Sequence, residues 1–268
     1  MPATIPASIQ PLLDEYLVLM DTMLPDLMEG CYLHGSVVLD AFTPSLSDVD
    51  FITVVDHPVT DSEFEALTTL HRILEEKYPH APLQGIYLQR HDLGKFARDI
   101  QPAPCYSDGV LERAGHHDIN SITWWLLKHK GITLAGPAAG DLDFSLDWDL
   151  LVSNTKINMN RYWITYIWQP ARIAWLFSDY GVQWAVSGVL RQWYTFEAND
   201  IASKVGACEY ALIHLPARWH RITREAIRMR HKQPSLYRFR VLRAFETWRF
   251  LRFLMARCNA MPLGVSTP

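Results

Sequence analysis

Two short segments near the start of the chain carry residue types that handle phosphate groups and metal ions. Gly35 and Ser36 follow a short hydrophobic run, and Asp48 and Asp50 flank Val49 at the start of a second run. Positions i and i+2 of a strand face the same side, so the two aspartates present two carboxylates to one space. Mg²⁺ usually takes one or two protein carboxylates together with substrate phosphates. The spacing predicts a Mg²⁺ site, whereas a Gly-Ser turn followed by a solvated acidic loop is the simpler alternative.

The first of these segments suits a triphosphate. Gly35 allows the backbone to come close to phosphate oxygens, which the Ser36 hydroxyl and nearby N–H groups can hold. Transfer of a nucleotide needs in-line attack on the α-phosphorus, with metal ions neutralising charge on the attacking and leaving oxygens. We therefore predict Asp48 and Asp50 as the catalytic metal ligands, with Gly35 and Ser36 binding the nucleotide.

Two parts of the chain resemble known proteins. The segment from His34-Gly35-Ser36 to Asp48-Val49-Asp50 resembles the signature of the DNA polymerase β-type nucleotidyltransferases. Three later segments, in order, are similar to the C-terminal helical domain of the streptomycin/spectinomycin adenylyltransferases: 190–195, 201–204 and 215–216. The resemblance covers about residues 15 to 232. It implies an α+β fold, with a polymerase β-like nucleotidyltransferase domain (a mixed sheet with helices) over 1–145 and an α-helical bundle over 146–268.

The resemblance also implies a reaction and further nucleotide contacts. ATP would be the co-substrate with Mg²⁺, and AMP would pass to a hydroxyl of a small molecule, with an aminoglycoside or aminocyclitol antibiotic as the first expected acceptor. Lys204 matches a phosphate-contacting lysine of the family, and Arg191 matches an arginine that reaches the same nucleotide. An exposed helix lysine and a structural salt bridge are the respective alternatives.

One position departs from the family. The relatives carry a glutamate on the third strand as general base, and the matching residue here is Gln84. An amide cannot accept a proton near neutral pH. Asp92, further along the chain, is one substitute, and His116 and His117 are others because imidazole acts as a base near pH 7. Asp118 or Asn120 would instead cap the helix that follows. Loss of catalysis with retained nucleotide binding is an alternative function.

The acceptor pocket departs as well. The relatives place acidic and histidine side chains at the start of the helix that leads to the Trp-Tyr-Thr segment. Asp179 would keep one acidic contact, Gln183 stands at the histidine position, and Trp175 belongs to an aromatic group nearby. We predict Trp175, Asp179 and Gln183 as acceptor-binding residues, although aromatic residues at helical spacing are more often part of a core.

Charge is distributed unevenly along the chain. Residues 1–150 contain 23 acidic and 8 basic side chains, and residues 201–268 contain 3 acidic and 13 basic ones. An acidic part that holds metal and a basic part that holds phosphates suit phosphoryl chemistry. The basic helices also leave open an enzyme that nucleotidylates protein or RNA. A nucleic-acid partner is nevertheless not expected, since the whole chain has a net charge of −4 and no known binding module.

The composition predicts a cytoplasmic enzyme with no membrane partner. Of the residues 49% are hydrophobic and 20% charged, which is ordinary for globular proteins. The four cysteines are widely separated, which favours buried free thiols, and no signal peptide or membrane span is apparent.

Hydrophobic periodicity predicts the elements around these residues. We expect helices over 9–28 and 61–78, strands from Cys31, over 51–55 and over 82–88, and a short helix between the first two strands. A short helix over 124–129 and a brief strand over 131–137 follow. The later helices are predicted over 148–168, 170–179, 183–196, 200–212, 216–232 and 237–256.

Overall fold

The computed structural model describes residues 4–80 and 82–261, and the chain divides into two units, Met1–Leu146 and Asp147–Pro268. The first unit contains six strands and three α-helices within its described residues. They are α1 (Gln10–Met23), β1 (Met28–Leu33), β2 (Val49–Val55), α2 (Asp61–Lys77), β3 (Leu83–Gln89), β4 (Ala103–Ser107), β5 (Val110–Gly115), α3 (Ser121–Lys130) and β6 (Ile132–Ala135).

The six strands form one mixed sheet in the order β5-β4-β3-β2-β1-β6. β2 and β3 are parallel, and every other neighbouring pair is antiparallel. Phe51 on one face of β2 contacts the rings of Tyr16 in α1 and His71 in α2. Ile52, on the other face, belongs to a buried cluster with Trp124 of α3. Helices therefore cover both faces, and the strand ends are left to carry polar groups.

The first helix is shorter than predicted. It ends at Met23 instead of continuing to Met28, and β1 begins at Met28, so that Gly30 lies inside the strand. Pro25 explains the early end, because proline lacks an N–H donor and disfavours helical backbone in the residue before it. The short helix expected between β1 and β2 is also wrong, since the described residues there form turns.

A hairpin was missed, while the caps of two helices follow ordinary rules. β4 and β5 join through Asp108 and Gly109, a pair typical of tight hairpin turns. Thr60 caps α2 in a reciprocal arrangement with Glu63. Asn120 caps α3 by accepting hydrogen bonds from the N–H groups of Ile122 and Thr123. The helix cap is therefore Asn120 and not Asp118.

All of the regular secondary structure described in the second unit is helical. A π-helical turn at Met159–Trp163 joins α4 to α5, which breaks the single helix predicted over 148–168. The other predicted helices are present with shifted ends. They are α4 (Trp148–Asn158), α5 (Thr165–Trp168), α6 (Pro170–Trp175), α7 (Asp179–Ala198), α8 (Lys204–His214), α9 (His220–Arg230) and α10 (Arg240–Ala260).

α7 forms the centre of this unit. Its fully buried Trp193 and Val186 belong to a core shared with α8, α9 and α10, which includes Ala207, Ile222 and Leu251. All four cysteines are free and buried, as predicted. Among the described helices, we find none long and apolar enough to cross a membrane.

Candidate functional site

The sheet brings the predicted residues of the first unit to one edge. β1 runs antiparallel to β2, and the N–H of His34 donates to the carbonyl oxygen of Asp50 at 3.0 Å. β2 runs parallel to β3, with Asp50 paired to Gln84. The end of β1 and the starts of β2 and β3 therefore meet, which places the Gly35–Ser36 turn beside Asp50 and Gln84.

Gly35 is required by the closeness of Asp50. Its φ of +65° lies in the left-handed region, and a Cβ at this position would lie 1.8 Å from Oδ2 of Asp50. No side chain fits in that gap. The Gly-Ser segment and the Asp-x-Asp segment, which are separated in the sequence, are thus in van der Waals contact.

Ser36 ties the same turn to the first aspartate. Its hydroxyl donates a long hydrogen bond of 3.4 Å to the carbonyl oxygen of Asp48, and its own carbonyl accepts the N–H of Ala41 at 3.0 Å. Asp48 lies just before β2 and Asp50 inside it, and both are half-buried. Both residues therefore keep part of their surface exposed at the rim of the sheet.

The donor set fits Mg²⁺ bound together with a nucleotide. Within residues 4–80 and 82–261, no group of three or more His, Cys, Asp or Glu side chains is placed to hold a metal ion. Two carboxylates are what an ion that shares its coordination with phosphates and water requires. Asp48 and Asp50 would supply them, while Ser36 and the Gly35 backbone lie beside Asp50 for the phosphates.

Gln84 occupies a matching place on β3. As the register partner of Asp50 in a parallel pair it faces the same side of the sheet, and it is half-buried. Its amide can hydrogen-bond an acceptor hydroxyl but cannot take its proton.

The His117–Asp118 turn lies near this edge. Ile119 packs in the same cluster as Ile52 and Ile86, each two residues beyond Asp50 and Gln84 on the same face. His34 is buried, which lowers its pKa to about 4; the charge of nearby Asp118 opposes this shift and His117 adds to it.

The other base candidates differ in position. His117 has its Nε2 buried, 4.0 Å from Oδ2 of Asp118, and this nitrogen makes no hydrogen bond within the described chain. Asp92 lies beyond the far end of β3, about 15–20 Å along the strand from Gln84, and pairs with Lys95. His116 contacts the carbonyl oxygen of Ile100. Of the substitutes predicted for the missing glutamate, His117 belongs to the turn that lies near the edge.

In the helical unit, Lys204 and Arg191 both lie near one face of α7. Lys204 is the first residue of α8, after the cap Ser203, and its Nζ lies 5.3 Å from the ring centre of Trp184. Arg191 follows Trp184 by seven residues, two helical turns, and therefore lies on the same face about 10 Å away. Both predicted phosphate contacts thus lie near Trp184 or on its side of α7.

The three predicted acceptor-binding residues lie in different environments. Asp179 is exposed, but its carboxylate binds Arg243 at 2.6 Å and Arg228 at 3.5 Å. Gln183 is half-buried one turn later, and Trp175 packs against the core beside Tyr166 and Tyr180. An acidic contact for a cation at Asp179 would have to compete with two guanidinium groups.

Sequence reasoning missed two groups of residues. The motif includes His34, and its position next to Gly35 indicates that it lies near the site, but the motif alone assigns it no role. Glu225 forms a buried ion-pair network with Arg228 and Arg243. The spacing of three between Glu225 and Arg228 was the available signal.

Comparison with known proteins gives one informative likeness. No protein-family model matches the chain, and no curated protein matches it. Among solved structures it is similar to spectinomycin adenyltransferase AAD(9) from Enterococcus faecialis, crystallised with ATP and spectinomycin. The TM-score is 0.67 at 15% sequence identity, over 93% of this chain and 98% of the other. The likeness confirms the predicted α+β fold, which the chain shares with this spectinomycin adenyltransferase.

Proposed function

We propose that the protein is a Mg²⁺-dependent nucleotidyltransferase that moves AMP from ATP to a hydroxyl of a small molecule. The observation that carries the proposal is the contact of the Asp50 carboxylate with Gly35, at the strand edge shared with Ser36 and Gln84. This arrangement places a metal-binding carboxylate beside a turn whose backbone can approach phosphate oxygens.

Each residue then has a defined task. Asp48 and Asp50 would hold the ion, whose chemistry is to neutralise charge on the attacking and leaving oxygens. Ser36 donates its hydroxyl to a phosphate oxygen, and Gly35 leaves room for that phosphate. Gln84 orients the acceptor hydroxyl. Lys204 and Arg191 would bind phosphate oxygens, as the family resemblance implies.

The proton of the acceptor hydroxyl needs a base other than Gln84. We assign this task to the imidazole of His117, with Asp118 orienting it. The assignment is supported by the packing of Ile119 on the sheet face that carries Asp50 and Gln84. The Asp118 carboxylate lies 4.0 Å from Nε2 of His117, so it can position the ring.

The first acceptor to test is an aminocyclitol or aminoglycoside antibiotic, and with it a role in antibiotic resistance. The support is the fold shared with an adenyltransferase that was crystallised with ATP and spectinomycin. We keep the cytoplasm as the proposed location, since four buried free cysteines suit a reducing compartment.

The experiment incubates the protein with Mg²⁺, ATP labelled at the α-phosphate, and spectinomycin or streptomycin. We expect labelled AMP on the antibiotic, lost in Asp48→Asn and Asp50→Asn. Asp56→Asn is the matched control, because Asp56 is exposed just past the other end of β2 and should retain transfer. Absence of Mg²⁺-dependent ATP binding would contradict the proposal.

A second function is favoured by Gln84 alone. A protein that binds the nucleotide without transferring it would need no base at this position. In the same experiment it would bind ATP in the presence of Mg²⁺, lose that binding in Asp50→Asn, and label neither antibiotic.

A further inference from the structure

A cavity of about 250 Å³ in the helical unit is lined mainly by arginines. It lies where the starts of α7 and α10 meet the loop that follows α9. The charged and polar side chains around it include Asp179, Arg228, Ser235, Arg238, Arg240 and Arg243. Four guanidinium groups thus face a space with a single carboxylate at its wall.

The carboxylates in this region already have cationic partners. Glu225, fully buried behind the cavity, accepts hydrogen bonds from Arg228 at 2.6 Å, Ser235 at 2.7 Å and Arg243 at 3.2 Å. Burial alone would raise the pKa of Glu225, but these partners and the N–H of Leu236 lower it to about 2. Asp179 is bound by the same two arginines.

Two positive charges remain after this pairing. Glu225 and Asp179 balance Arg228 and Arg243, while Arg238 and Arg240 are exposed and form no ion pair with a carboxylate in the part of the chain that the structure describes. The other charged groups near the wall, Arg221 and Glu246 beside Tyr237, carry opposite signs. The cavity therefore keeps an excess of positive charge.

The start of α10 adds to that excess. This helix of 21 residues begins at Arg240, its first turn holds no acidic residue, and its cap Phe239 makes no side-chain hydrogen bond. The first backbone N–H groups of a helix lack partners within it and carry partial positive charge. Acidic side chains are usually preferred at such a helix start, whereas arginines stand here. A bound anion would accept hydrogen bonds both from these guanidinium groups and from the backbone N–H groups of the first turn.

Two buried donors of the lining arginines lack an acceptor in the described part of the chain. The Nε atoms of Arg228 and Arg243 are buried and have no hydrogen-bond partner within 4–80 and 82–261. Arg243 is 2% exposed and lines the cavity. Unsatisfied buried groups of charged side chains are rare in folded proteins and destabilise them.

We propose that this cavity is a binding site for a small oxyanion, namely a phosphate or carboxylate group. Guanidinium groups bind both kinds of oxyanion in bidentate geometry. Its volume falls below the roughly 300–1,000 Å³ of sites that enclose drug-sized ligands, so it suits a free anion or the anionic group of a larger molecule. The site is built within the helical unit and does not depend on the proposed transfer reaction.

The test measures binding of inorganic phosphate to the full chain by calorimetry at constant ionic strength. We expect saturable binding to the wild type and at least a tenfold loss in Arg238→Gln/Arg240→Gln. Both positions are exposed, so the variant should fold, which its circular dichroism would verify. Arg249→Gln/Arg252→Gln is the matched control, with two exposed arginines further along the same helix that stack on Phe245 and Trp248.

Further measurements identify the chemical source of the anion and distinguish this site from the proposed ATP site. Acetate and AMP in place of phosphate show whether a carboxylate or a nucleotide phosphate supplies the group. Phosphate binding should persist in Asp48→Asn/Asp50→Asn, and Mg²⁺-dependent ATP binding should persist in Arg238→Gln/Arg240→Gln. No saturable phosphate binding, or binding lost only with the aspartates, would overturn the proposal.

Discussion

Replacing Gly35 by alanine tests whether the Gly-Ser turn and Asp50 form one site. The backbone at Gly35 has a φ of +65°, and a left-handed conformation costs an L-residue about 1–2 kcal/mol. The added methyl would lie 1.8 Å from Oδ2 and 2.5 Å from Cγ of Asp50. Non-bonded heavy atoms rest about 3.5 Å apart, so the carboxylate must move by roughly 1.5 Å.

That movement should remove function beyond the loss of stability. Mg²⁺ needs near-ideal octahedral geometry with oxygens at about 2.1 Å, so a ligand displaced by roughly 1.5 Å no longer coordinates it. We expect transfer to fall by about 10²-fold or more, the range found on removing one preorganised electrostatic group. ATP binding in the presence of Mg²⁺ should weaken in parallel.

Gly109→Ala is the matched control. Its φ is +78°, and its added Cβ would meet Oε1 of Glu75 at 2.8 Å, the far end of a flexible side chain in the same unit. Both variants should lose about 1–2 kcal/mol in urea unfolding, a fall in Tm of about 2–8 °C. Only Gly35→Ala should lose Mg²⁺-dependent ATP binding, measured by calorimetry. Normal ATP binding in Gly35→Ala, or an equal loss of binding in both variants, would show that the Gly35 turn and Asp50 do not form one site.

Three further outcomes follow from individual residues. Gln84→Glu should raise the rate of AMP transfer, whereas Gln89→Glu, at the other end of β3, should not. If Gln84→Glu transfers AMP at the wild-type rate, the absence of a carboxylate at this position does not limit the reaction. His117→Gln should lower the rate of AMP transfer by about 10²-fold because it removes the proposed base, and His116→Gln should leave that rate unchanged, as measured with the labelled ATP; a full rate in His117→Gln would place the base elsewhere. Glu225 has a folded pKa of about 2, below its usual 4.5, so it contributes about 3 kcal/mol of stability above pH 4.5 that disappears as the pH falls to 2. Urea unfolding of Glu225→Gln should show less stability at pH 7 and a shallower pH dependence than the wild type, and an unchanged slope would contradict this.

The strand edge could be predicted because its signals are local. Gly35, Ser36, Asp48 and Asp50 each stand at the end of a hydrophobic run, and alternation along a strand fixes which side chains share a face. The fold class followed from the resemblance of these segments, and of the helical segments near Arg191, to a known family. The hairpin at Asp108–Gly109 had a local signal too, which was overlooked.

Contacts between distant positions could not be predicted in this way. Asp179 and Arg243 are 64 residues apart, and no periodicity within either helix indicates that they meet at 2.6 Å. His34 and the His117–Asp118 turn come together only because α3 packs across the sheet. Such partners depend on tertiary packing, which the spacing of residues within one segment does not specify.

The most direct test of the central claim is a crystal structure with Mn²⁺ and a non-hydrolysable ATP analogue, since Mn²⁺ is located by its anomalous scattering. We expect an ion within roughly 2.3 Å of a carboxylate oxygen of both Asp48 and Asp50, with phosphate oxygens beside Gly35 and Ser36. An ion held elsewhere, or an analogue whose phosphates lie away from the Gly35–Ser36 turn, would contradict it.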